Sequence, residues 1–230
     1  MKRFCCLTLM MTLIATTGIG QVRTVFFAGG QVSSAHYVIR DSKQPADRKR
    51  GLMGGMALKV PFDNQLYFFP SVFYSRKGYK VKLEQPSFPP SELAVNNETE
   101  LQTVEIAPLL QLDLSKKENH LFLRFGPSID IAFSGREKFD TLNSTGGFGT
   151  VDRPMKFAFT EYGRFTAQAN LHLGYETKKG LLFFAFYQHG LGSLNNADNG
   201  PRILHRIAGL SIGWFFQRHN PLVMDTSPIR

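Results

Sequence analysis

The stretch FTAQANLHLGYE, Phe165–Glu176, decides the fold. Phe165, Ala167, Ala169, Leu171, Leu173 and Tyr175 alternate with Thr166, Gln168, Asn170, His172, Gly174 and Glu176. A repeat of two is that of a β-strand, whose successive side chains point to opposite faces. One face here is bulky and apolar, the other small or polar. What surrounds each face separates a soluble barrel from a membrane barrel.

The same alternation recurs outward from this strand. Residues 121–135 set Leu121, Leu123, Phe125, Ile129, Ile131 and Phe133 against Arg124, Gly126, Ser128, Asp130 and Ser134. Residues 202–216 set Leu204, Ala208, Leu210, Ile212, Trp214 and Phe216 against His205, Gly209, Ser211 and Gly213, with Arg206 as the misfit. In residues 51–60, Leu52, Met56, Leu58 and Val60 oppose Gly51, Gly55, Ala57 and Lys59. In residues 101–114, Val104, Ile106, Leu110, Leu112 and Leu114 oppose Thr103, Glu105, Gln111 and Asp113. Less regular segments at about 24–39, 66–80 and 181–191 bring the expected count to eight strands. Segment 181–191 is apolar on both faces at its start, so its register stays open.

Connections alternate in length. Short ones fall at 61–65, 115–120 and 178–180, and longer ones at about 41–50, 81–100, 137–163 and 195–201. An up-and-down meander with one plain and one elaborated end gives this order, as in outer-membrane barrels with short periplasmic turns and longer outer loops.

The amino terminus, MKRFCCLTLMMTLIATTGIGQ, has Lys2 and Arg3, an apolar run and then small residues, the layout of a secretory signal peptide over residues 1–20. Its apolar run is short of the ~20 residues a membrane helix requires. Cys5 and Cys6, the only cysteines, would leave with it, so no disulfide or cysteine-bound metal is expected. The balance of 27 Lys and Arg against 18 Asp and Glu gives +9, but the cations are interspersed with acids and form no nucleic-acid motif, so no nucleic-acid partner is expected.

A soluble, lipocalin-like periplasmic carrier would turn the apolar face inward around an apolar ligand and show water a surface rich in Lys, Glu and Asp. Here the polar face is mostly Gly, Ser, Thr, Asn, Gln and Ala, which suits a narrow barrel interior. The carrier is the alternative reading. The preferred fold is all-β: an eight-stranded antiparallel up-and-down transmembrane β-barrel over residues 21–217, with a periplasmic tail at 218–230. Aromatic bands are expected at Tyr67, Phe122, Tyr175, Trp214 and Phe216 near the short turns, and at Tyr74, Tyr79 and Phe133 near the long loops. Lys59, Glu105, Asp113, Arg124, Asp130, His172 and Glu176 would share the lumen as a polar network. Eight strands leave room for little more than side chains, which argues against a wide pore.

Four short segments, YSRKGYK, VEIAPLLQ, LRFGPSI and YQHGLGSLNN, resemble elements of the PorT family of Bacteroidota outer-membrane β-barrels. YSRKGYK (74–80) is similar to its tyrosine–serine–any–lysine–glycine signature, and VEIAPLLQ (104–111) to its isoleucine–proline–leucine–leucine run, with Ala107 intervening. LRFGPSI (123–129) is similar to its glycine–proline element, and YQHGLGSLNN (187–196) to its tyrosine–glycine–leucine element. The resemblance spans about 24–217 and implies an eight-stranded barrel of the Gram-negative outer membrane, with a secretion or envelope protein complex as a partner to consider.

No catalytic, cofactor or metal site is expected. His36, His172, His189 and His205 lack ligand spacing on one element, and Glu105 with Asp130 is read as lumen filling rather than a hydrolytic pair. A loop-borne enzyme would need polar groups converging at the Tyr79/Phe139 rim. The glycine-containing loops lack the strand–loop–helix setting of a phosphate cradle. Arg48, Lys49, Arg50, Arg76, Lys77 and Lys80 gather toward the long-loop end and are candidate contacts for lipopolysaccharide phosphates; solubilising loop charge is the equal alternative. The expected protein is a non-enzymatic outer-membrane scaffold, set in outer-membrane lipid and lipopolysaccharide, and accessory to secretion or adhesion.

Overall fold

In the computed structural model, residues 22–142 and 147–216 are described. The expected signal peptide and the tail at 218–230 lie outside them. The described chain forms β1 (Arg23–Ile39), β2 (Ser42–Gln44), β3 (Ala46–Asp63), β4 (Leu66–Lys82), β5 (Asn96–Asp113), β6 (His120–Leu142), β7 (Phe148–Pro154), β8 (Phe165–Glu176), β9 (Leu181–Gly190) and β10 (Arg202–Phe215). Eight of them close an antiparallel ring in the order β1, β3, β4, β5, β6, β8, β9, β10. β10 pairs back onto β1 from Val25↔Phe215 to Val38↔Arg202. Closure leaves no sheet edge in the wall, and hydrocarbon demands this because an unpaired backbone N–H or C=O there costs several kcal/mol.

Two strands lie outside the ring, where sequence suggested loops. Segment 41–50 is a tight turn at Arg40–Asp41, both at positive φ, followed by β2 and the start of β3. Segment 137–163 carries the end of β6 and then β7, which pairs only with β6. β5 likewise begins at Asn96, inside the expected loop at 81–100. Charged residues alternate through these extensions and hide the strand pattern. At the other end the turns stay short, with Asn64 at positive φ between β3 and β4 and Gly180 between β8 and β9.

The bulky residues face out. On β8, Phe165, Leu171, Leu173 and Tyr175 are exposed while Gln168, Asn170, His172 and Glu176 are buried. An apolar exterior of this kind suits acyl chains, whereas a soluble carrier would show water a charged wall. On β9, Leu182, Phe184 and Phe186 turn inward, which fixes the register left open. Three expected band residues also turn inward: Phe122 and Tyr79 are fully buried, and Tyr67 lies under the Lys59 ammonium, 4.1 Å from its ring centroid. They share the phase of inward neighbours such as Phe69 and Arg124. Gly174, opposite Phe122 across β6 and β8, supplies the space for that ring; a side chain there would collide with it. Trp214, Phe216, Tyr175 and Phe133 face outward.

On five of the ring strands the outer wall changes character in one step. An apolar outward residue, Val32 on β1, Leu52 on β3, Tyr74 on β4, Val104 on β5 and Ala208 on β10, is followed toward the long-loop end by Ser34, Arg50, Arg76, Gln102 and Arg206. The misfit Arg206 thus faces outward. It marks the upper border of the apolar band rather than a lumen position.

Candidate functional site

The lumen is filled in layers. At the short-turn end, Lys59 Nζ reaches Asp113 Oδ2 at 2.7 Å and Glu176 Oε2 at 2.8 Å, and Arg23 Nη1 reaches Glu176 Oε1 at 2.5 Å. Gln111 donates to Asp113 at 2.7 Å and accepts from Arg124 Nη2 at 2.6 Å. Arg124 is fully buried, with its guanidinium 3.4 Å from the Phe69 centroid and 4.8 Å from that of Phe122. Phe27, Phe69, Phe73, Phe122, Phe184, Phe186 and Phe215 belong to the apolar cluster around it.

His172 belongs to this aromatic cluster and to neither charged layer. It stacks on Phe184 at 5.2 Å and meets Phe186 edge-on, and neither ring nitrogen has a hydrogen-bond partner.

A second charged layer contains Glu105 and Asp130, cross-strand neighbours on β5 and β6. Lys77 Nζ bridges them at 2.8 and 2.6 Å. Gln188 donates to Glu105 and Asn170, each at 2.9 Å, while Gln168 and Thr166 donate to Asp130. Lys77 is therefore not an outer-rim cation. Ser71 and Ser75 set the inward phase of β4, and Lys77 continues it. Across both layers four cations, Arg23, Lys59, Lys77 and Arg124, share the lumen with four carboxylates, Glu105, Asp113, Asp130 and Glu176. Removing one partner of such a set leaves an uncompensated buried charge.

The outer mouth is closed by packed side chains. Tyr37, Tyr79 and Tyr162 are fully buried there. Tyr37 Oη is 2.8 Å from Ser87 Oγ, and Tyr162 donates to Glu137 at 2.8 Å while accepting from Asn97 at 3.1 Å. Arg153 ties the mouth to the loop after β4 by donating to Glu137 at 2.7 Å and to the Pro90 carbonyl at 3.0 Å. At the Tyr79/Phe139 rim both named rings are buried, and Tyr79 Oη has no partner.

Among the described residues one group has the ligand types for a metal: Asp113, His120 and Glu176, from three strands, with ligand atoms within 4.8 Å of one another. Sequence reasoning missed it because the three meet only through barrel register. The Lys59 ammonium already lies against both carboxylates, where a cation would bind.

Beyond the apolar band, β3 to β7 continue as an outer sheet. One cross-strand row reads Asp47↔Lys80↔Glu98↔Lys138↔Asp152, alternating in sign at every step. Glu98 pairs with Lys49 and Lys80, both at 3.0 Å, and Glu100 with Arg76 at 2.7 Å. The Arg76 hydrogen bond holds the Glu100 carboxyl below its usual range. For Glu98, partial burial pushes the other way, but Lys49 and Lys80 prevail and lower it too. Cross-strand opposite charges contribute roughly 0.2–1 kcal/mol each. Of the rim cations singled out from sequence, Lys49, Arg76 and Lys80 are thus ion-paired within this sheet, and Arg48 and Arg50 are exposed without an ion pair among the described residues.

A closed antiparallel ring with a bulky apolar exterior and a lumen of paired charges defines a membrane β-barrel. The chain belongs to the outer membrane protein beta-barrel domain family, whose sequence profile matches residues 17–196. It is an integral protein of the Gram-negative outer membrane. A search of curated protein sequences gives no significant match. Similar solved structures include Ail, the attachment invasion locus protein of Yersinia pestis, in complex with the heparin analogue sucrose octasulfate: 13% identity over 85% of this chain and 99% of that one, TM-score 0.44. The neisserial surface protein NspA gives 13% identity over 83% and 97%, TM-score 0.41. OprG of Pseudomonas aeruginosa gives 10% identity over 85% and 96%, TM-score 0.43.

Proposed function

We propose that the protein is a non-enzymatic scaffold that holds the outer sheet of β3 to β7 clear of the membrane for a partner, and is not a solute passage. The filled lumen carries this reading: charged layers, an aromatic cluster and the tyrosine-lined mouth occupy it from rim to rim. Purified protein in planar bilayers is expected to leave conductance at the lipid background. Reproducible stepwise openings of the unaltered protein would contradict it.

Within the family we place the chain with the PorT-type barrels of Bacteroidota, because its motifs supply lumen structure. YSRKGYK directs Ser75, Lys77 and Tyr79 inward. FGP supplies Gly126 at φ +153°, facing the Pro108 carbonyl of the neighbouring strand. An accessory role in secretion or adhesion follows from the same reading, with pull-down from mild detergent as its test. Lipopolysaccharide would be the surrounding outer-leaflet lipid, met by Arg48 and Arg50 more than by Lys49, Arg76 and Lys80, whose charge the outer sheet already offsets. The extent of the barrel domain, residues 21–217 with a leader before it and a periplasmic tail after it, is part of this proposal.

A further inference from the structure

We propose that the groove where β2 branches from β1, beside β10, binds a phosphate group of an outer-leaflet glycolipid. The inference rests on the outer-membrane scaffold reading, with the β2 end outward.

The groove has a backbone cause. β1 pairs with β3 only as far as Ser33↔Lys49, and with β2 only from Tyr37↔Gln44. Residues 34–36 therefore have no strand partner on that side, and β3 swings away at a bulge between Arg48 and Leu52. The resulting cavity is about 530 Å³, and Ser34, His36, Lys43, Arg48, Tyr187 and Arg206 are among its lining residues.

Its charge is one-sided. Lys43, Arg48 and Arg206 line it, and Arg202 and His189 lie within electrostatic reach of His36. On the β3–β5 wall Lys49, Arg76 and Lys80 are matched by Glu98 and Glu100. No ion pair among the described residues involves Lys43, Arg48, Arg202 or Arg206; Asp47 faces Lys80 on the other side of β3, and Asp41 sits in the turn before β2. Basic charge is thus unmatched here, in a concave place.

Its height selects the ligand. Arg206 sits opposite Ser34 at the first outward position above the apolar band, with Val32 and Ala208 directly below. Farther down, β1 itself is low. Ala28 lies beside Gly54, and a side chain added at Gly30 would meet nothing within 4 Å. A charged residue facing lipid is costly unless it lies near the interface or is neutralised. A phosphate can accept charge-assisted hydrogen bonds from guanidinium and ammonium together, and Arg suits it geometrically. An anion at the border, with acyl chains lying along the low strip of β1 between the exposed Leu52 and Leu210, describes a phosphorylated lipid. A second copy meeting this groove with its own groove would bring the same uncompensated cations and be repelled.

The test is lipid retention by the full-length protein in mild detergent, read by native mass spectrometry and by titration with diphosphorylated lipid A. Losing three cations at the surface is expected to weaken binding about 30-fold or more in K43Q/R48Q/R206Q, with R206Q alone weakening it by roughly fivefold. R76Q/K80Q, which removes ion-paired cations, is expected to bind like the unaltered protein, and dephosphorylated lipid A to bind the unaltered protein no better than the triple variant binds lipid A. Heat-modifiable gel mobility confirms that each variant is folded. Unchanged binding by folded K43Q/R48Q/R206Q overturns the proposal, as does equal loss in R76Q/K80Q, which would mean a diffuse collar. Displacement of lipid A by stoichiometric inorganic phosphate would show a free-phosphate site, and retention of an acidic protein in place of lipid would show a protein interface; either overturns it. The conductance test is independent: a conducting barrel that retains lipid A sinks the scaffold reading and leaves the groove.

Discussion

Lys77→Met is expected to destabilise the barrel by about 3–5 kcal/mol, the usual consequence of breaking a buried charge set from one side. Lys77 is buried on a central wall strand and is the cation that bridges Glu105 and Asp130. Without it two carboxylates face each other across β5 and β6, supported only by Gln168, Gln188 and Thr166. Methionine conserves much of the volume, so the loss isolates charge rather than packing. Adding Glu105→Gln and Asp130→Asn should restore most of the stability, because amides need no counter-charge. Urea unfolding from lipid vesicles gives the numbers. A single variant as stable as the parent would show that the layer is hydrated and that the closed-lumen account is wrong.

Leu171→Arg is the second large effect. Leu171 is an outward residue in the middle of β8, half exposed, between Ala169 and Leu173. In a bilayer an arginine near the midplane of a barrel's lipid face costs about 2–4 kcal/mol. On a soluble barrel the same change at a surface position falls within roughly ±0.5 kcal/mol. Leu171→Phe should be nearly neutral in either setting, so the pair separates polarity from size. Folding yield into vesicles and the unfolding midpoint report both.

Much of the architecture was legible because lipid imposes a simple rule: outward residues must be apolar through the whole band. The period of two at 121–135, 165–176 and 202–216 is that rule written in sequence, and the eight expected segments, including the less regular 24–39, 66–80 and 181–191, fall on the eight ring strands. Legibility fell where both faces are apolar. The aromatic cluster puts Phe69 and Phe73 on the inner face of β4, and Phe184 and Phe186 on that of β9. Tyr67 and Tyr79 therefore passed as band residues, and Lys77 as a rim cation. Ser71 and Ser75 were the available signal for its inward phase.

Register was the other blind spot. His120 meets Asp113 and Glu176, and Arg23 meets Glu176, only because three or more strands come into line. No single segment contains that information. Arg206 was visible as an irregularity in an otherwise alternating strand, but its meaning depends on Ser34 beside it and on Lys43 across the gap left by β2.

The most direct measurement is accessibility at adjacent positions of β8. Spin labels placed singly at Leu171 and Leu173, and at Gln168 and His172, in vesicle-reconstituted protein should divide by parity. Labels at Leu171 and Leu173 should relax strongly with oxygen and be untouched by an aqueous nickel reagent, while those at Gln168 and His172 should be immobile and shielded from both. Aqueous access at Leu171 together with oxygen access at His172 would mean that the apolar face is turned inward, and the account would fall.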